Sequence, residues 1–179
     1  MLNSPAGKEN PQIKFVCIRA GNVLGSAGSV VQLFIDQIKK ENRVTVTHKD
    51  MTRFFMTLDQ AIDLLLTACN SDIQSHLYVM KMPSCRIVDL AKVLIGHYGN
   101  GQTEVEYTGI RPGEKLHELL LSENETINAY EYNENYYVIC NQHPVPIKKV
   151  EFKEYGSNTQ QLLDCTQIKE MLDSGGFLK

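Results

Sequence analysis

The stretch FVCIRAGNVLGSAGSVVQLFIDQI, residues 15–38, determines the architecture expected of this chain. Its apolar start, up to Ile18, predicts a buried strand, and the glycines that follow predict a tight turn. From Val30 to Ile38, apolar residues recur at helical spacing, and Ser29 stands where it can cap the helix. A strand, a glycine-rich turn and a helix bring backbone N–H groups together at a helix N-terminus, where an anion can bind.

Short strand and helix patterns alternate through the rest of the chain and predict an α/β or α+β fold. Strands are expected at 13–18, 44–47, 77–80, 102–107 and 136–140, and further helices after Asp59, from Pro83 towards Gly96 and Gly99, from Glu114 to Leu121, and at 166–172. The helix capped by Asp59 is apolar nearly all round, which predicts that it is buried.

Composition excludes several classes of protein. The chain has 179 residues, 42% of them hydrophobic, and a formal net charge of −3, so it can form a core and is not disordered. Its 18 basic and 21 acidic residues leave no basic excess for nucleic acid, and no apolar run is long enough for a membrane span. Five widely spaced cysteines and the lack of a signal-peptide pattern predict buried, reduced thiols and a cytoplasmic location.

The glycines of the first stretch have two interpretations. Gly21, Gly25 and Gly28 lie between a strand and a helix, but their spacing is not G-x-G-x-x-G, and no acid follows at the expected distance. They therefore indicate either nucleotide contact or an ordinary tight turn. Asn22 favours a ligand site, because it follows a strand's carboxyl end, where open α/β sheets bind ligands.

Two arginines extend this candidate site. Arg53 lies in an apolar segment, so it needs an anionic or carbonyl partner, and either a ligand or a structural ion pair would meet that need. Arg111 and Glu114 flank a Pro-Gly turn, which suits a diphosphate and a ribose hydroxyl but also an ordinary helix start. With Asn22, the two arginines form a plausible diphosphate cradle.

Other catalytic patterns are absent from the sequence. His117-Glu118 is followed by Leu121 where a zinc helix requires a second histidine, so no metal site is predicted. Leu24-Gly25-Ser26 lacks the first glycine of a nucleophile elbow. No tyrosine is followed four positions later by lysine.

Four motifs together carry a family resemblance. They are RAGNVLGSAGSV (19–30), TVTHKDMTRFFMT (45–57), VMKMPSCRIVDLAKVL (79–94) and GIRPGEKLHELLLSE (109–123). The chain resembles bacterial polysaccharide-biosynthesis proteins of the extended short-chain dehydrogenase/reductase superfamily. Within them it is similar to the capsule branch, which includes UDP-glucose and UDP-N-acetylglucosamine 4-epimerases and UDP-N-acetylglucosamine 4,6-dehydratases.

The resemblance implies an α/β fold equivalent to the C-terminal part of a Rossmann-type enzyme. This part holds the last sheet strands and a small α+β substrate-binding domain, and the N-terminal dinucleotide-binding half is absent. The implied division is a flexible arm at 1–12, a nucleotide-sugar-binding region at 13–123 and a family-specific tail at 124–179.

The resemblance also implies roles for individual residues. Asn22, Arg53 and Arg111 would bind the diphosphate of a UDP-sugar, and Glu114 its ribose. Arg19 matches no substrate role and is expected to be structural. The family's cofactor glycines and its Tyr-x-x-x-Lys lie upstream of the matched region. The complete enzyme would therefore use NAD or NADP, whereas this chain would hold no cofactor and no catalytic residue.

Two hypotheses follow for the chain. It is either the substrate-binding half of a UDP-sugar 4-epimerase or 4,6-dehydratase, acting with an N-terminal Rossmann half, or a non-catalytic remnant that serves as a UDP-sugar-binding or assembly module. The sheet and helix faces that the N-terminal half would cover should be exposed, which predicts a homo-oligomer or a requirement for that half.

Overall fold

A computed structural model gives the structure of residues 16–70, 77–140 and 147–179, so the predicted arm at 1–12 lies outside the described residues. The chain forms two compact units. The first comprises the described residues up to Ala20 and those within Leu58–Met82 and Leu119–Tyr155; the second comprises Gly21–Thr57, Pro83–Glu118 and Gly156–Lys179. These units interleave along the chain, whereas the division at residue 123 is sequential and stays a prediction.

Strands and helices alternate, as the sequence predicts. The strands are β1 (Cys17–Arg19), β2 (Asn22–Val23), β3 (Arg43–Val46), β4 (Thr52–Met56), β5 (Leu77–Met80), β6 (Ser84–Arg86), β7 (Glu104–Tyr107), β8 (Leu119–Leu121), β9 (Ala129–Glu131), β10 (Tyr136–Ile139) and β11 (Tyr155–Gly156). The helices are α1 (Val30–Glu41), α2 (Leu58–Asn70), α3 (Ile87–Tyr98), α4 (Glu123–Thr126) and α5 (Cys165–Ser174). The predicted α/β fold class is confirmed.

The first unit is built on a four-stranded sheet in the order β1-β5-β10-β9. β1 runs parallel to β5, and β10 runs antiparallel to both β5 and β9. Tyr78, Val79, Tyr136 and Val138 are buried in this unit. In the described part of the chain, β1 forms one edge of the sheet.

The second unit holds the strands that position the candidate site. β2 pairs in parallel with β4, and β4 pairs antiparallel with β6, while β3 and β7 form a separate parallel pair. Apolar side chains of α1, α3 and α5 pack with β3 in one cluster, which includes Phe34, Ile38, Leu90, Leu94 and Ile168. Each such buried side chain stabilises the fold by about 1.5–3 kcal/mol.

The interpretation of α2 as a buried helix is wrong. Leu64 and Ala68 are buried, but Leu58, Ile62 and Leu65 are 63%, 46% and 53% exposed. A helix that is apolar nearly all round is covered only where other chain segments pack on it, and in the described residues these cover one side. Its start also differs, because α2 begins at Leu58, which places Asp59 in the first turn instead of at the cap.

The helix predicted from Glu114 to Leu121 is absent. The carbonyl groups of Lys115 and Leu116 accept hydrogen bonds from the Arg53 guanidinium at 2.7 and 3.1 Å, and the Glu118 carbonyl accepts one from the Ser157 N–H at 2.8 Å. Hydrogen bonds to other segments of the chain thus take the place of helical i→i+4 bonds here. Residues 109–118 form a loop, and the three leucines after it form β8.

Two smaller predictions also need correction. The helix expected from Pro83 begins at Ile87, because Ser84–Arg86 pairs with β4 as a strand, and Gly99, not Gly96, follows its last residue. The expectation of buried thiols holds for Cys85 and Cys140, whereas Cys69 and Cys165 are exposed.

Candidate functional site

A cavity of about 320 Å³ lies in the second unit. Its wall comprises the turn after β2, the start of α1, the end of β3 and part of loop 109–118. Asn22, Arg53, Arg111 and Glu114, which the sequence analysis selected from three separate motifs, all line it. The fold thus brings the predicted binding residues together at one cavity, and their individual ligand contacts stay predictions.

The glycine-rich turn at this cavity is explained largely by protein packing. A Cβ on Gly21 would lie 2.5 Å from the Cβ of Phe54, and one on Gly25 would lie 2.4 Å from a ring carbon of Phe177. Gly25 also has a φ of +72°, which favours glycine. Protein atoms therefore already occupy the space that these two glycines leave, whereas Gly28 lines the cavity and has open space beside it.

The start of α1 gives the cavity a positive end. Ser29 caps the helix as predicted, and its Oγ accepts a hydrogen bond from the Gln32 N–H at 3.4 Å. Val30 and Val31 line the cavity, and the first N–H groups of a helix have no acceptor within the helix. The helix dipole adds a partial positive charge there, which favours an anion.

Asn22 is held by two acceptors. Its Nδ2 donates to the Phe54 carbonyl at 3.2 Å and to Glu118 Oε1 at 3.3 Å. A carbonyl and a carboxylate can only accept, so these neighbours determine which way the amide points. The remaining hydrogen-bonding atom of the side chain is Oδ1.

Most N–H groups of the Arg53 guanidinium donate hydrogen bonds within the protein. Its side chain is 14% exposed, and Nη1 donates to the carbonyl groups of Thr52 and Leu116, while Nη2 donates to that of Lys115. Two carboxylates lie close, with Nη2 to Glu114 Oε1 at 4.0 Å and Nε to Glu118 Oε1 at 3.7 Å. Arg53 therefore fixes loop 109–118 against β4 and has few N–H groups left for a ligand.

Arg111 is the more available cation. Gly113 turns the loop with a φ of +81°, and the Arg111 N–H donates to Glu114 Oε2 at 3.1 Å. Thr47 Oγ1 donates to the other carboxylate oxygen of Glu114 at 3.4 Å. Across the described residues, the Arg111 guanidinium has no protein acceptor. Glu114 thus shapes the loop that carries the Arg111 guanidinium.

The sequence analysis missed the residues that support this site. It considered Glu118 only as part of a failed zinc motif, yet the Glu118 carboxylate also accepts the Phe54 N–H at 3.2 Å. The buried Ser157 accepts the Glu118 N–H at 2.9 Å and contacts Thr52 Oγ1 at 2.6 Å. Thr52 Oγ1 lies 2.8 Å from His117 Nδ1. No local pattern links Ser157 to Glu118, because 39 positions separate them.

Arg19 has the structural role expected of it. In the first unit, its Nη1 donates to the Leu120 carbonyl at 2.6 Å, and its two terminal nitrogens contact the Glu125 carboxylate at 3.0 and 2.9 Å. These hydrogen bonds are the main cause that lowers the pKa of Glu125 to about 2. The guanidinium is thus part of an ion pair.

The described residues contain neither a metal-binding cluster nor a helix suited to a membrane. Over 16–70, 77–140 and 147–179, no three His, Cys, Asp or Glu side chains cluster closely enough to hold a metal ion. Nor does any helix in these ranges combine the length and apolar character that crossing a bilayer requires.

Comparison with known proteins gives matches over most of the chain. Residues 1–140 match the family described as polysaccharide biosynthesis protein. The chain is 45% identical to the capsular polysaccharide biosynthesis protein CapD of Staphylococcus aureus over 128 residues, which cover 70% of this chain and 21% of CapD. It is 35% identical to a UDP-glucose 4-epimerase of Rickettsia bellii over 167 residues, 88% of this chain and 49% of the epimerase.

A solved structure has a similar fold. The structure of Pen from Bacillus thuringiensis superimposes with a TM-score of 0.86 at 31% identity, over 97% of this chain and 54% of Pen. The chain spans about half the length of Pen and of the Rickettsia epimerase, and less of CapD.

Proposed function

Because the chain belongs to the family of polysaccharide biosynthesis proteins, we propose that it is the substrate-binding half of a UDP-sugar 4-epimerase or 4,6-dehydratase. The observation that carries this proposal is that Asn22, Arg53, Arg111 and Glu114 line one cavity. The similarity to an epimerase named for UDP-glucose and to a capsular biosynthesis protein supports the choice of ligand class and pathway.

The charges around the cavity suit a nucleoside diphosphate. The Arg111 guanidinium and the N-terminus of α1 contribute positive charge on the same cavity, where each phosphate oxygen gains a charge-assisted hydrogen bond. The cavity volume of about 320 Å³ falls at the lower end of small-molecule sites, which are about 300–1,000 Å³. Arg53 contributes mainly by fixing the loop that carries Arg111.

The redox chemistry would belong to a different part of the enzyme. An NAD or NADP cofactor would supply hydride exchange at the sugar, and the spacing of Gly21, Gly25 and Gly28 is not the G-x-G-x-x-G of a dinucleotide-binding loop. We infer that an N-terminal Rossmann half holds it, and that residues of this chain bind and orient the UDP-sugar. Epimerase and dehydratase reactions both require this binding step.

Calorimetric titration of the chain with UDP, UDP-glucose and UDP-N-acetylglucosamine tests the proposal. We expect saturable binding of at least one UDP-sugar and no turnover of it by the chain alone. Turnover by the purified chain would contradict the assignment as a half-enzyme. A lack of binding up to about 1 mM, the equivalent of about 4 kcal/mol, would favour a non-catalytic remnant that has lost its UDP-sugar contacts and serves as an assembly module.

A further inference from the structure

We propose that Glu118 is a positioning residue that orients the Asn22 amide. In this orientation, Asn22 Oδ1 accepts a hydrogen bond from an O–H or N–H group of the bound ligand. This inference rests on the proposed function, because it concerns the same cavity. It differs from the role that the family resemblance implies for Asn22, which is contact with the diphosphate.

Three groups converge on the Glu118 carboxylate. Its Oε1 accepts a hydrogen bond from Asn22 Nδ2 at 3.3 Å and lies 3.7 Å from Arg53 Nε, while Oε2 accepts the Phe54 N–H at 3.2 Å. The carboxylate is thus linked to two residues that line the cavity and to the backbone of β4. The Glu118 side chain itself is 28% exposed.

The backbone of Glu118 is fixed from the opposite side. Ser157, which is fully buried, donates its N–H to the Glu118 carbonyl at 2.8 Å and accepts the Glu118 N–H at 2.9 Å through Oγ. Ser157 Oγ also lies 2.6 Å from the hydroxyl of the buried Thr52, which belongs to β4. Movement of the Glu118 backbone would break its two hydrogen bonds to Ser157. The backbone therefore holds the Glu118 carboxylate within hydrogen-bonding distance of Asn22.

This geometry decides the chemistry that Asn22 offers. A side-chain amide has two donor hydrogens on nitrogen and one acceptor oxygen. Both hydrogens of Asn22 are used, one by the Phe54 carbonyl and one by Glu118. The reversed amide would place Oδ1 against two acceptors, which is repulsive. Asn22 therefore offers a ligand only an acceptor.

An acceptor selects particular parts of a UDP-sugar. The ionised diphosphate has no hydrogen to donate, whereas sugar hydroxyls, ribose hydroxyls and base or acetamido N–H groups do. Asn22 therefore recognises one of these donors, and Arg111 with the start of α1 is left to bind the phosphates. A shift of the Asn22 amide would remove this recognition without changing the Arg111 contact.

A pair of double-mutant cycles tests this assignment by titration with UDP-N-acetylglucosamine. Asn22→Ala and Glu118→Gln should each weaken binding by about 10-fold. Because Glu118 acts through Asn22, the variant that carries both substitutions should bind only slightly more weakly than the weaker-binding of the two single variants. Glu118→Gln combined with Arg111→Ala should instead show additive losses. Glu170→Gln, an exposed glutamate of α5, is the matched control and should bind like the wild type.

Additive losses in the Asn22 cycle, or unchanged binding by Glu118→Gln, would overturn the assignment. Absence of binding by the wild type would instead refute the proposed function, so a measurement without ligand is needed as well. In nuclear magnetic resonance of the ¹⁵N-labelled chain, the Asn22 side-chain N–H₂ protons should exchange with water about 10-fold faster in Glu118→Gln than in the wild type.

Equal exchange rates in these two proteins would contradict the positioning role whether or not a ligand binds. The Glu170→Gln control should keep the wild-type exchange rate. If Glu118→Gln fails to fold, Glu118→Asp takes its place, because it keeps the charge and withdraws the carboxylate from Asn22 by one methylene group.

Discussion

At the scale of single residues, the two arginines of the cavity differ in their hydrogen-bonding partners. Arg53 gives its terminal N–H groups to three backbone carbonyls, whereas Arg111 has no protein acceptor in the described residues. Arg53 therefore has a mainly structural role at the cavity, and phosphate binding stays a proposal for Arg111, although the sequence motifs suggested the same diphosphate role for both. Substitutions should separate the two roles.

Arg53→Ala should lower the free energy of unfolding by about 2–4 kcal/mol, because it removes three hydrogen bonds to backbone carbonyls and the positive charge beside the carboxylates of Glu114 and Glu118. Urea unfolding measures this. The control is Arg43→Ala, which removes an arginine whose ion pairs with Glu41 and Glu106 are exposed, and it should cost about 0–1 kcal/mol. Equal stability of the two variants would contradict the structural role of Arg53.

The Arg19–Glu125 ion pair should make the free energy of unfolding depend on pH in the acid range. The pKa of Glu125 falls from 4.5 to about 2 in the folded chain, so its contribution to stability is fully present above about pH 4.5 and is lost as the pH falls towards 2. The difference in urea midpoint between the wild type and Glu125→Gln should therefore shrink over that range.

Glu123→Gln is the matched control for this titration, because Glu123 lies in the same short helix and its side chain is exposed. It should follow the wild-type pH profile. A difference between wild type and Glu125→Gln that stays constant from pH 5 to about pH 2 would contradict the ion-pair explanation.

Residues in local motifs could be predicted, and residues that depend on distant contacts could not. Asn22 and Arg111 were found because each stands at a turn whose geometry can be inferred from adjacent glycine or proline. Glu118 and Ser157 were missed because their roles depend on hydrogen bonds between residues 39 positions apart. Arg53 was found, but its bonds to the carbonyls of loop 109–118 have no sequence signal.

At the scale of elements, Gly21, which directly precedes β2, is the point where two strands come into close contact. Gly21 lets β2 approach Phe54, which is fully buried in β4. The sequence predicted a strand before the turn and a helix after it, because period and glycine spacing are local signals, but it missed β2, and β1 is half-buried instead of buried. It failed for Glu114 to Leu121, because tertiary hydrogen bonds override a helical pattern of leucines.

Gly21→Ala should lower the free energy of unfolding by about 1–3 kcal/mol, because a new Cβ would collide with the Cβ and carbonyl of Phe54. Gly96→Ala should change the free energy of unfolding in the opposite direction. Gly96 lies inside α3 with open space around it, so alanine should raise stability by about 0.5–1 kcal/mol through its lower unfolded-state entropy. Urea midpoints with the same sign of change would contradict this account of the turn.

At the scale of the whole molecule, α2 exposes apolar side chains along one side. Leu58, Ile62, Leu65 and Leu66 recur at helical spacing, and each is at least 46% exposed. The chain spans about half the length of the Rickettsia epimerase and of Pen, which makes an N-terminal half one candidate to cover this side.

The chain purified by itself should therefore associate with itself. Burial of the α2 side in an oligomer removes apolar area from water, at about 25 cal/mol for each Å². Sedimentation velocity should detect a species larger than 20.2 kDa, and Ile62→Lys with Leu66→Lys should return it to a monomer. Lys39→Glu with Lys40→Glu, on α1, should not. A monodisperse wild-type monomer would contradict this prediction.

The most direct test of the account is calorimetric titration of UDP-N-acetylglucosamine into the wild type, Arg111→Ala and Arg43→Ala. The account predicts saturable binding by the wild type and Arg43→Ala, and binding about 10-fold weaker by Arg111→Ala, because a charge-assisted contact to phosphate is lost. Equal affinity of Arg111→Ala and the wild type, or no saturable heat with any of the three proteins up to about 1 mM ligand, would contradict it.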